Sequence, residues 1–456
     1  MPHASSLNRI RFVLVVSVFI AATVSILPTT TFQPGSAPAG STRQDDGDPF
    51  FLLAPSSNVS HVNPRTGNST LVVNTTASQF CQSFECWKYL AQSLGLVRAF
   101  PDRHDQQWLV QGKSSEPLIN HETNRTYSDA GILYVKNFKA ASSTAAGVAL
   151  RLAYRLPTTV NNETSSNGWV RFHHTPGWTY RNRNPARSFL FTSIRDPARR
   201  ALSRIFYTQI SQHGRDAHND DLMLNFLRDT DSQYGSVRHT GGGYQVWYTS
   251  MEGDRLPRSW GGKRPTTVQN RPAIQEAVRG ILNDYDFILV AERLDESIVT
   301  MALLMNVSLD DVLVQNAKES SASAWYYFKR GNFEQCRRPV PVFQSPAVRH
   351  HLQSEEWIAK NYGDYLLLAA SHLSLDATMG RLGQERVNRA LQFYRGLQEE
   401  VGLACRNETV YHCSFDGKPQ RSLSKIDCYS DDSGCGYPCI DSFLSLLPES
   451  KTARVF

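Results

Sequence analysis

The apolar positions of the chain fall into short runs that alternate with longer segments of helical spacing. Three runs have the length and the β-branched and aromatic content of buried strands: residues 132–135, Ser188–Ile194 and Phe287–Val290. A helical pattern follows each run, at residues 144–154, from Pro197 onward and at Leu294–Met305. Because strands alternate with helices, the sequence predicts an α/β fold with a mostly parallel central sheet.

The rest of the chain is mostly helical by the same criterion. Apolar positions indicate helices within residues 346–378, and residues 385–401 carry apolar side chains at near-helical spacing. Residues 234–267 are rich in glycine and lack periodic apolar positions, which predicts a mobile loop. Residues 80–110 are again apolar and aromatic, and we expect either a small lid on the main domain or a structured end of the segment before it.

The N-terminus has the pattern of a secretory targeting segment. Arg9 and Arg11 precede an uncharged apolar run at residues 12–27, which a cleaved signal peptide and a signal anchor both explain. Positive residues ahead of the run favour a cytoplasmic N-terminus and a lumenal body. We therefore predict a cytoplasmic tail at residues 1–11 and a single-pass, type II transmembrane anchor at residues 12–27.

Composition divides the remainder of the chain into three parts. Residues 28–127 begin with a stretch rich in Pro, Ser, Thr, Gly and Asn, which cannot bury a core and is typical of a flexible stem. We expect this stem to be partly structured from about residue 80. The main folded domain is predicted at residues 128–405, and a Cys-rich tail at residues 406–456.

Cysteines and glycosylation sequons both indicate an oxidising, lumenal compartment. The cysteines are Cys81, Cys86, Cys336, Cys405, Cys413, Cys428, Cys435 and Cys439. Sequons of the Asn-x-Ser/Thr type begin at Asn58, Asn68, Asn74, Asn124, Asn162, Asn306 and Asn407. An even number of cysteines in this context predicts disulfides, with a pairing that the sequence leaves open. The alternative is a metal site around Cys435 and Cys439, which lacks a second pair or a His partner at suitable spacing.

The net charge of the chain is +6 at pH 7. A mildly basic protein is compatible with an anionic ligand, but charge of this size does not single out nucleic acid. The sequence has neither zinc-finger spacing nor a stripe of basic and aromatic residues, so a nucleic-acid role is not supported.

The turn after the first predicted strand has the composition of an anion site. Its residues are Lys139, Ala140, Ala141, Ser142, Ser143 and Thr144. The first amides of the following helix lack carbonyl partners within the helix, and the helix dipole adds partial positive charge. Small side chains let a phosphate approach the backbone, while the Lys and the hydroxyls supply charge and donors. An ordinary strand-turn-helix with a Ser or Thr cap is the alternative explanation.

A second basic motif follows the second predicted strand. Arg195-Asp196-Pro197 ends the strand and begins a helix, and Ser203 lies about two helical turns further on. Arg195 and Ser203 can converge on a second phosphate, since the guanidinium of Arg is a fork of donors that suits this group. The alternative is a capped helix in which Arg195 pairs with Asp196.

Together these motifs resemble those of sulfotransferases. The lysine turn is similar to their 5′-phosphosulfate loop, and Arg195 with Ser203 resembles their 3′-phosphate motif. Three stretches are most similar to the galactose 3-O-sulfotransferase family of Golgi carbohydrate sulfotransferases: VKNFKAASST, SIRDPARRALSRIFY and YDFILVAERLDESIVTMALLM. The likeness covers roughly residues 130–318 and weakens toward residue 405. Phe138 departs from the family, which usually has a His directly before the loop lysine.

The resemblance implies a fold and an activity. The fold would be a P-loop-like three-layer sandwich, and the donor would be 3′-phosphoadenosine 5′-phosphosulfate (PAPS), with no metal required. The acceptor would be a sugar hydroxyl, for example the galactose 3-OH, on a glycolipid or glycoprotein in the Golgi lumen. Catalysis needs a base for the acceptor proton, and the family has a similar R-F-H segment at the place of His173. The neighbouring His174 is the second candidate for this role.

Two other functions remain open at the level of sequence. A nucleotide-dependent kinase would need carboxylates for magnesium, for which Asp196 is available, but no Walker A loop is present. A membrane glycoprotein could keep the fold for binding or scaffolding without catalysis, and Phe138 is compatible with this. The identity of the acceptor, the oligomeric state and the role of the Cys-rich tail do not follow from the sequence.

Overall fold

The computed structural model describes twelve segments of the chain: residues 81–104, 118–120, 125–127, 131–155, 175–228, 242–256, 268–315, 326–330, 333–405, 413–414, 416–419 and 436–447. All of them belong to one compact unit. The predicted anchor at residues 12–27 and the pair His173 and His174 lie outside these segments. The predicted domain boundaries stay a prediction.

A small parallel sheet lies at the centre of the described residues. It consists of β3 (Gly131–Val135), β4 (Ser188–Ile194) and β5 (Phe287–Val290) in the order β3-β4-β5, with every pair parallel. Two antiparallel pairs lie outside it: β1 (Leu118–Asn120) with β2 (Arg125–Tyr127), and β6 (Tyr326–Arg330) with β7 (Phe333–Arg337). The three strands of the parallel sheet are those that the apolar runs predict.

Most of the described residues are helical. The α-helices are α1 (Phe84–Ser93), α2 (Ser142–Arg155), α3 (Pro197–Ile205), α4 (Asp220–Arg228), α5 (Tyr244–Thr249), α6 (Arg271–Asp284), α7 (Leu294–Met305), α8 (Pro346–Leu352), α9 (Glu355–Lys360), α10 (Tyr362–Leu382), α11 (Gln384–Ala404) and α12 (Tyr437–Ser445). A π-helical segment, Phe206–Gln212, continues α3. The structure is therefore a mixed α/β fold with a small parallel sheet, which confirms the predicted class at this level.

The three strands appear as continuous apolar runs in the sequence because the sheet is buried. All seven residues of β4 and all four of β5 are buried. Parallel strands that are covered on both faces have continuous apolar sequences rather than alternating ones. Helix α2 packs against β3, and α7 and α10 pack against β5. The parallel arrangement brings the carboxyl ends of β3, β4 and β5 to one edge of the sheet.

The prediction of a mobile loop at residues 234–267 is wrong for the part that the structure describes. Residues 242–256 contain α5, and Tyr244 and Gln245 in its first turn are buried. The cap of this helix comes from a distant element, since both carboxylate oxygens of Asp364 accept backbone N–H groups at its start. Local propensity cannot reveal a helix that depends on such a tertiary contact.

The segment at residues 81–104 packs on the main domain, which is compatible with both expectations for it. Helix α1 lies against α10. Beyond α1, the backbone N–H of Phe100 donates to the hydroxyl of Thr378 at 2.9 Å. Arg103 forms an ion pair with Asp286, just ahead of β5. The segment is thus tied to both α10 and the sheet.

The prediction of disulfides is confirmed. The bridges join Cys81 to Cys86, Cys336 to Cys413, and Cys405 to Cys439. Cys428 and Cys435 lie outside the described residues. Because Cys439 is in a disulfide with Cys405, the alternative of a metal site built on Cys435 and Cys439 does not hold.

In the described part of the chain, no helix combines the length and the apolar character needed to cross a bilayer. The run at residues 12–27 is not in that part, so the membrane anchor stays a prediction.

His372 is expected to make a contribution to stability that is lost as the pH drops from 6.5 to 4. Burial, together with the charges of Arg293 and Lys88, lowers the pKa of His372 to about 4. In the unfolded chain its pKa is near 6.5, so the unfolded state binds more protons in this window. The loss of unfolding free energy from this group is at most about 3.4 kcal/mol.

Urea unfolding at pH 7.5 and pH 5, with the disulfides oxidised, measures this effect. His372→Gln should reduce the difference in unfolding free energy between the two pH values. His350→Gln, at an exposed position of α8, is the control and should leave the difference unchanged. If the His372 variant loses as much stability as wild type, His372 is not the source of the pH dependence.

Candidate active site

The turn between β3 and α2 has an unusual backbone for a sequence without glycine. Lys139 and Ala141 have positive φ values of 62° and 54°, while the intervening Ala140 does not. Left-handed conformations cost a non-glycine residue roughly 1–2 kcal/mol, so the surrounding structure must impose them. Alternating right- and left-handed residues turn successive N–H groups inward and form a concave anion-binding nest. The turn therefore has backbone geometry suited to a phosphate or sulfate.

Helix α2 begins at the end of this turn, two residues earlier than the sequence predicts. It starts at Ser142, and the backbone N–H of Ala145 donates to the carbonyl of Ala141 at 3.1 Å. Ser142, Ser143 and Thr144 thus form the first helical turn, where backbone amides and the helix dipole favour an anion. Ser142 is buried, and the other two side chains are partly exposed.

Contacts to β4 fix the start of the turn. The side-chain amide of Asn137 donates to the carbonyl of Ser193 at 2.9 Å. The hydroxyl of Ser193 is 2.8 Å from that of Tyr134 on β3. These bonds connect the last residues of two neighbouring strands, so the turn is held at the carboxyl edge of the sheet.

The side chain of Lys139 lies over an aromatic ring of the π-helical segment. Its Nζ is 4.1 Å from the centre of the Tyr207 ring, within the range of a cation–π contact. Turns of π-helix inside α-helices occur frequently at functional sites. Tyr207 follows Ser203 by four residues, so Ser203 lies about one turn away from the residue that contacts Lys139.

Arg195 meets the lysine turn directly. Its Nη1 donates to the backbone carbonyl of Lys139 at 3.2 Å. The Arg195 side chain remains 31% exposed, so part of it is accessible to a ligand. The two motifs that the sequence predicts to lie at one edge of the sheet are therefore in contact. Ser203 is partly exposed and lies one turn beyond Arg199 on α3.

The structure does not show the alternative arrangement, in which Arg195 pairs only with Asp196. The carboxylate of Asp196 instead caps α3 by accepting the backbone N–H of Arg199 at 2.8 Å. The nearest carboxylate to the Arg195 guanidinium among the ion pairs of the described residues is Glu292, with Nε and Oε1 4.0 Å apart. The same Oε1 accepts the backbone N–H of Asp196 at 2.9 Å.

Burial sets the electrostatics around Arg195. It raises the pKa of Glu292, and the nearby charge of Asp196 raises it further. Burial also raises the pKa of Asp196, against the hydrogen bond from Arg199. For Arg195, burial lowers the pKa and the charges of Glu292 and Asp196 oppose this. Desolvated charges of this kind interact strongly with a bound anion because water screens them little.

Phe138, directly before Lys139, is part of an aromatic cluster. The guanidinium of Arg204 is 4.7 Å from the centre of its ring. The rings of Tyr244 and Tyr248 lie 6.4 Å away, centre to centre. Phe138 therefore packs the lysine turn against α3 and α5.

The predicted bases His173 and His174 lie outside the described residues, which resume at Thr175. The segment after them is closely packed. A Cβ added at Gly177 would be 2.1 Å from the carbonyl oxygen of Thr249. The side chain of Arg181 donates to the carbonyl of Met251 at 2.9 Å. The residues that follow the His pair are thus fixed against the end of α5.

Two residues of the site are missing from the sequence-based prediction. Glu292 follows β5 by two residues, so the rule that ligands bind at the carboxyl ends of parallel strands could have found it. Gln245 binds the backbone of Arg195. It lies in the glycine-rich segment, where no sequence pattern indicates that this residue belongs to the site.

Comparison with protein-family models matches the galactose-3-O-sulfotransferase family over residues 166–330. The match confirms the resemblance predicted from the sequence, and the class of protein that it supports is a sulfotransferase. Over these residues the chain is similar to the galactose-3-O-sulfotransferases. The matched region includes Arg195, Ser203 and both histidines and begins after the lysine turn. Neither comparison with curated proteins nor comparison with solved structures found a match.

The arrangement has the parts needed to hold an anionic donor. A backbone nest and a helix N-terminus offer N–H groups, Lys139 brings a full charge, and Arg195 presents a partly exposed fork of donors beside them. These groups can hold phosphate or sulfate oxygens and stabilise charge that develops on a leaving oxygen.

Proposed function

We propose that the protein is a carbohydrate sulfotransferase that transfers the sulfuryl group of PAPS to a sugar hydroxyl. The observation that carries this proposal is the 3.2 Å hydrogen bond between Arg195 Nη1 and the Lys139 carbonyl. It brings a cationic turn suited to a 5′-phosphosulfate next to an arginine suited to a 3′-phosphate. The finer fold that goes with this proposal is the P-loop-like three-layer sandwich of sulfotransferases.

The proposed mechanism is an in-line displacement at sulfur. Backbone amides of the lysine turn bind the 5′-phosphosulfate, with the hydroxyls of Ser142, Ser143 and Thr144. Lys139 stabilises the charge that develops on the departing phosphate oxygen. Arg195 and Ser203 bind the 3′-phosphate, which fixes the nucleotide and orients the sulfuryl group.

A base completes the reaction by taking the proton of the acceptor hydroxyl. We assign this role to His173, with His174 as the second candidate, because the pKa of His lies near working pH. The hydroxyl oxygen forms the new bond to sulfur while the bond from sulfur to the phosphate oxygen breaks. The products are the sulfated sugar and 3′-phosphoadenosine 5′-phosphate (PAP). No step of this mechanism requires a metal.

The resemblance to the family supports a proposal for the acceptor class and the location. We propose a galactose 3-OH on a glycolipid or glycoprotein as the acceptor, and the Golgi lumen as the compartment, with an N-terminal membrane anchor. Three disulfides among the described residues support an oxidising compartment. The sequon at Asn306 supports it too, because this residue is exposed just after α7, where a glycan can be attached.

Binding of PAP tests the proposal and separates an enzyme from an inactive scaffold. The lumenal part of the chain, residues 28–456, should be stabilised against heat by PAP, because a ligand that binds only the folded state raises the melting temperature. It should also transfer radiolabelled sulfate from PAPS to members of a glycan array. Binding of PAP without sulfate transfer would support the alternative of an inactive scaffolding protein. The absence of both binding and transfer would exclude PAPS as the donor.

Arg195→Ala is expected to weaken donor binding more than turnover. A hydrogen bond to a charged group contributes about 1.5–3 kcal/mol, so the Kd for PAP should rise about 10- to 100-fold. Titration calorimetry measures this change. Arg389→Ala, at an exposed position of α11, is the control and should bind PAP like wild type. An unchanged Kd in the Arg195 variant would remove this residue from the donor site.

A further inference from the structure

The backbone of Arg195 is held by the side chain of a residue from another element. The backbone N–H of Arg195 donates to Oε1 of Gln245 at 2.9 Å, and Nε2 of Gln245 donates to the Arg195 carbonyl at 2.8 Å. Pairing between β4 and β5 ends at Ile194 and Val290, so Arg195 is the first residue beyond the ladder. The amide of Gln245 thus takes the place that a neighbouring strand would occupy.

The position of Gln245 is itself fixed by contacts with other helices. It is fully buried in the first turn of α5. Asp364, in the first turn of α10, accepts the backbone N–H groups of Gln245 and Val246 at 3.1 and 3.0 Å. Asp364 is fully buried and its charge interacts with that of the buried Arg200 on α3. Three helices therefore determine where the Gln245 amide lies.

The residue after Arg195 is held as well, by the hydrogen bond from the Asp196 N–H to Glu292. Both polar backbone groups of Arg195 and the next N–H are consequently bonded to buried or largely buried side chains. A backbone fixed at three consecutive polar groups restricts the directions open to the side chain. In the observed direction the guanidinium reaches the Lys139 carbonyl and remains partly exposed.

We propose that Gln245 is a positioning residue for the nucleotide donor, acting through the backbone of Arg195. This role rests on the proposed function, because it assumes that Arg195 binds the donor. Gln245 makes no contact with the donor itself. It aligns the guanidinium with the lysine turn before the nucleotide arrives, so that binding does not have to order this residue.

Gln245→Met tests the role, because methionine has a similar length and shape but can make neither hydrogen bond. The Kd for PAP should rise about tenfold, as expected when two hydrogen bonds that orient a ligand group are lost. The KM for PAPS should rise by a similar factor while kcat changes little. Gln275→Met is the matched control, since the amide of Gln275 on α6 bonds the hydroxyl of Tyr362 instead. This control should bind PAP like wild type.

A double variant separates positioning from general stability. If Gln245 acts through Arg195, then Gln245→Met should cause almost no further loss of PAP binding in the Arg195→Ala background. A purely structural effect would weaken binding equally in both backgrounds and would contradict the proposal. So would a folded Gln245 variant with the wild-type Kd.

Gln245→Asn serves if the methionine variant does not fold. It stays neutral like glutamine, but its amide is one methylene short of the Arg195 N–H and carbonyl, so neither hydrogen bond can form as in the wild type. The expected result is again weaker PAP binding, and wild-type binding by this variant would overturn the role. If the wild-type protein does not bind PAP, the proposed function is wrong, and with it the role of Gln245. Measuring the wild type first distinguishes this result from a failure of the Gln245 proposal alone.

Discussion

Lys139→Ala is expected to lower the rate of sulfuryl transfer by about 10²–10³-fold, the usual cost of removing one group that stabilises a developing anion. The lysine occupies a left-handed position of the turn, and its Nζ lies 4.1 Å from the centre of the Tyr207 ring. Its charge therefore lies at the face of Tyr207, in the π-helical segment that continues α3. The leaving oxygen of the donor gains negative charge at that place in the proposed mechanism. Single-turnover transfer of radiolabelled sulfate measures the rate.

Lys88→Ala is a matched control for this variant. Lys88 also lies over an aromatic ring, with Nζ 5.1 Å from the centre of Phe84, but it belongs to α1. Its removal should leave transfer unchanged. Lys139→Arg keeps the charge and should retain more activity than Lys139→Ala. Near-normal transfer by Lys139→Ala would contradict the role of the turn.

His173→Ala is expected to reduce kcat by about 10²–10⁴-fold while PAP binding stays at the wild-type level. A base acts on the acceptor, so its loss affects turnover and not the affinity for the nucleotide. The pH profile of kcat should also lose the limb that rises as the base is deprotonated. Steady-state kinetics between pH 5 and pH 9, with calorimetry for PAP, measure both effects.

His174→Ala is the comparison for this second prediction. Its kcat should fall much less, because the family resemblance points to the first histidine of the pair. If His174→Ala carries the larger loss, the base is His174. If neither variant alters turnover or the pH profile, the proton is taken by another group and the proposed mechanism is wrong at this step.

Sequence patterns were sufficient for the elements that surround the site. The apolar runs predict β3, β4 and β5, and the start of α3 at Pro197 and the bounds of α7 agree with the structure. These elements are buried and regular, so their periodicity is visible along the chain. Contact between Arg195 and the lysine turn also follows from sequence, since the carboxyl ends of parallel strands share one edge.

The supporting contacts could not be predicted in the same way. Gln245 and Asp364 are 119 residues apart, and their hydrogen bond depends on the docking of α5 against α10. Glu292 lies 96 residues from Asp196, whose N–H it accepts. No local sequence pattern indicates hydrogen bonds between residues so far apart in the chain. The left-handed conformations of Lys139 and Ala141 are equally hidden, because both residue types normally avoid them.

Calorimetric titration with two nucleotides tests the central claim that one site holds both ends of the donor. PAP carries a 3′-phosphate, whereas adenosine 5′-phosphate does not. The wild-type protein should bind PAP much more tightly than adenosine 5′-phosphate, and Arg195→Ala should lose most of this preference. Equal affinity of the wild type for the two nucleotides, or a preference that survives in Arg195→Ala, would contradict the account.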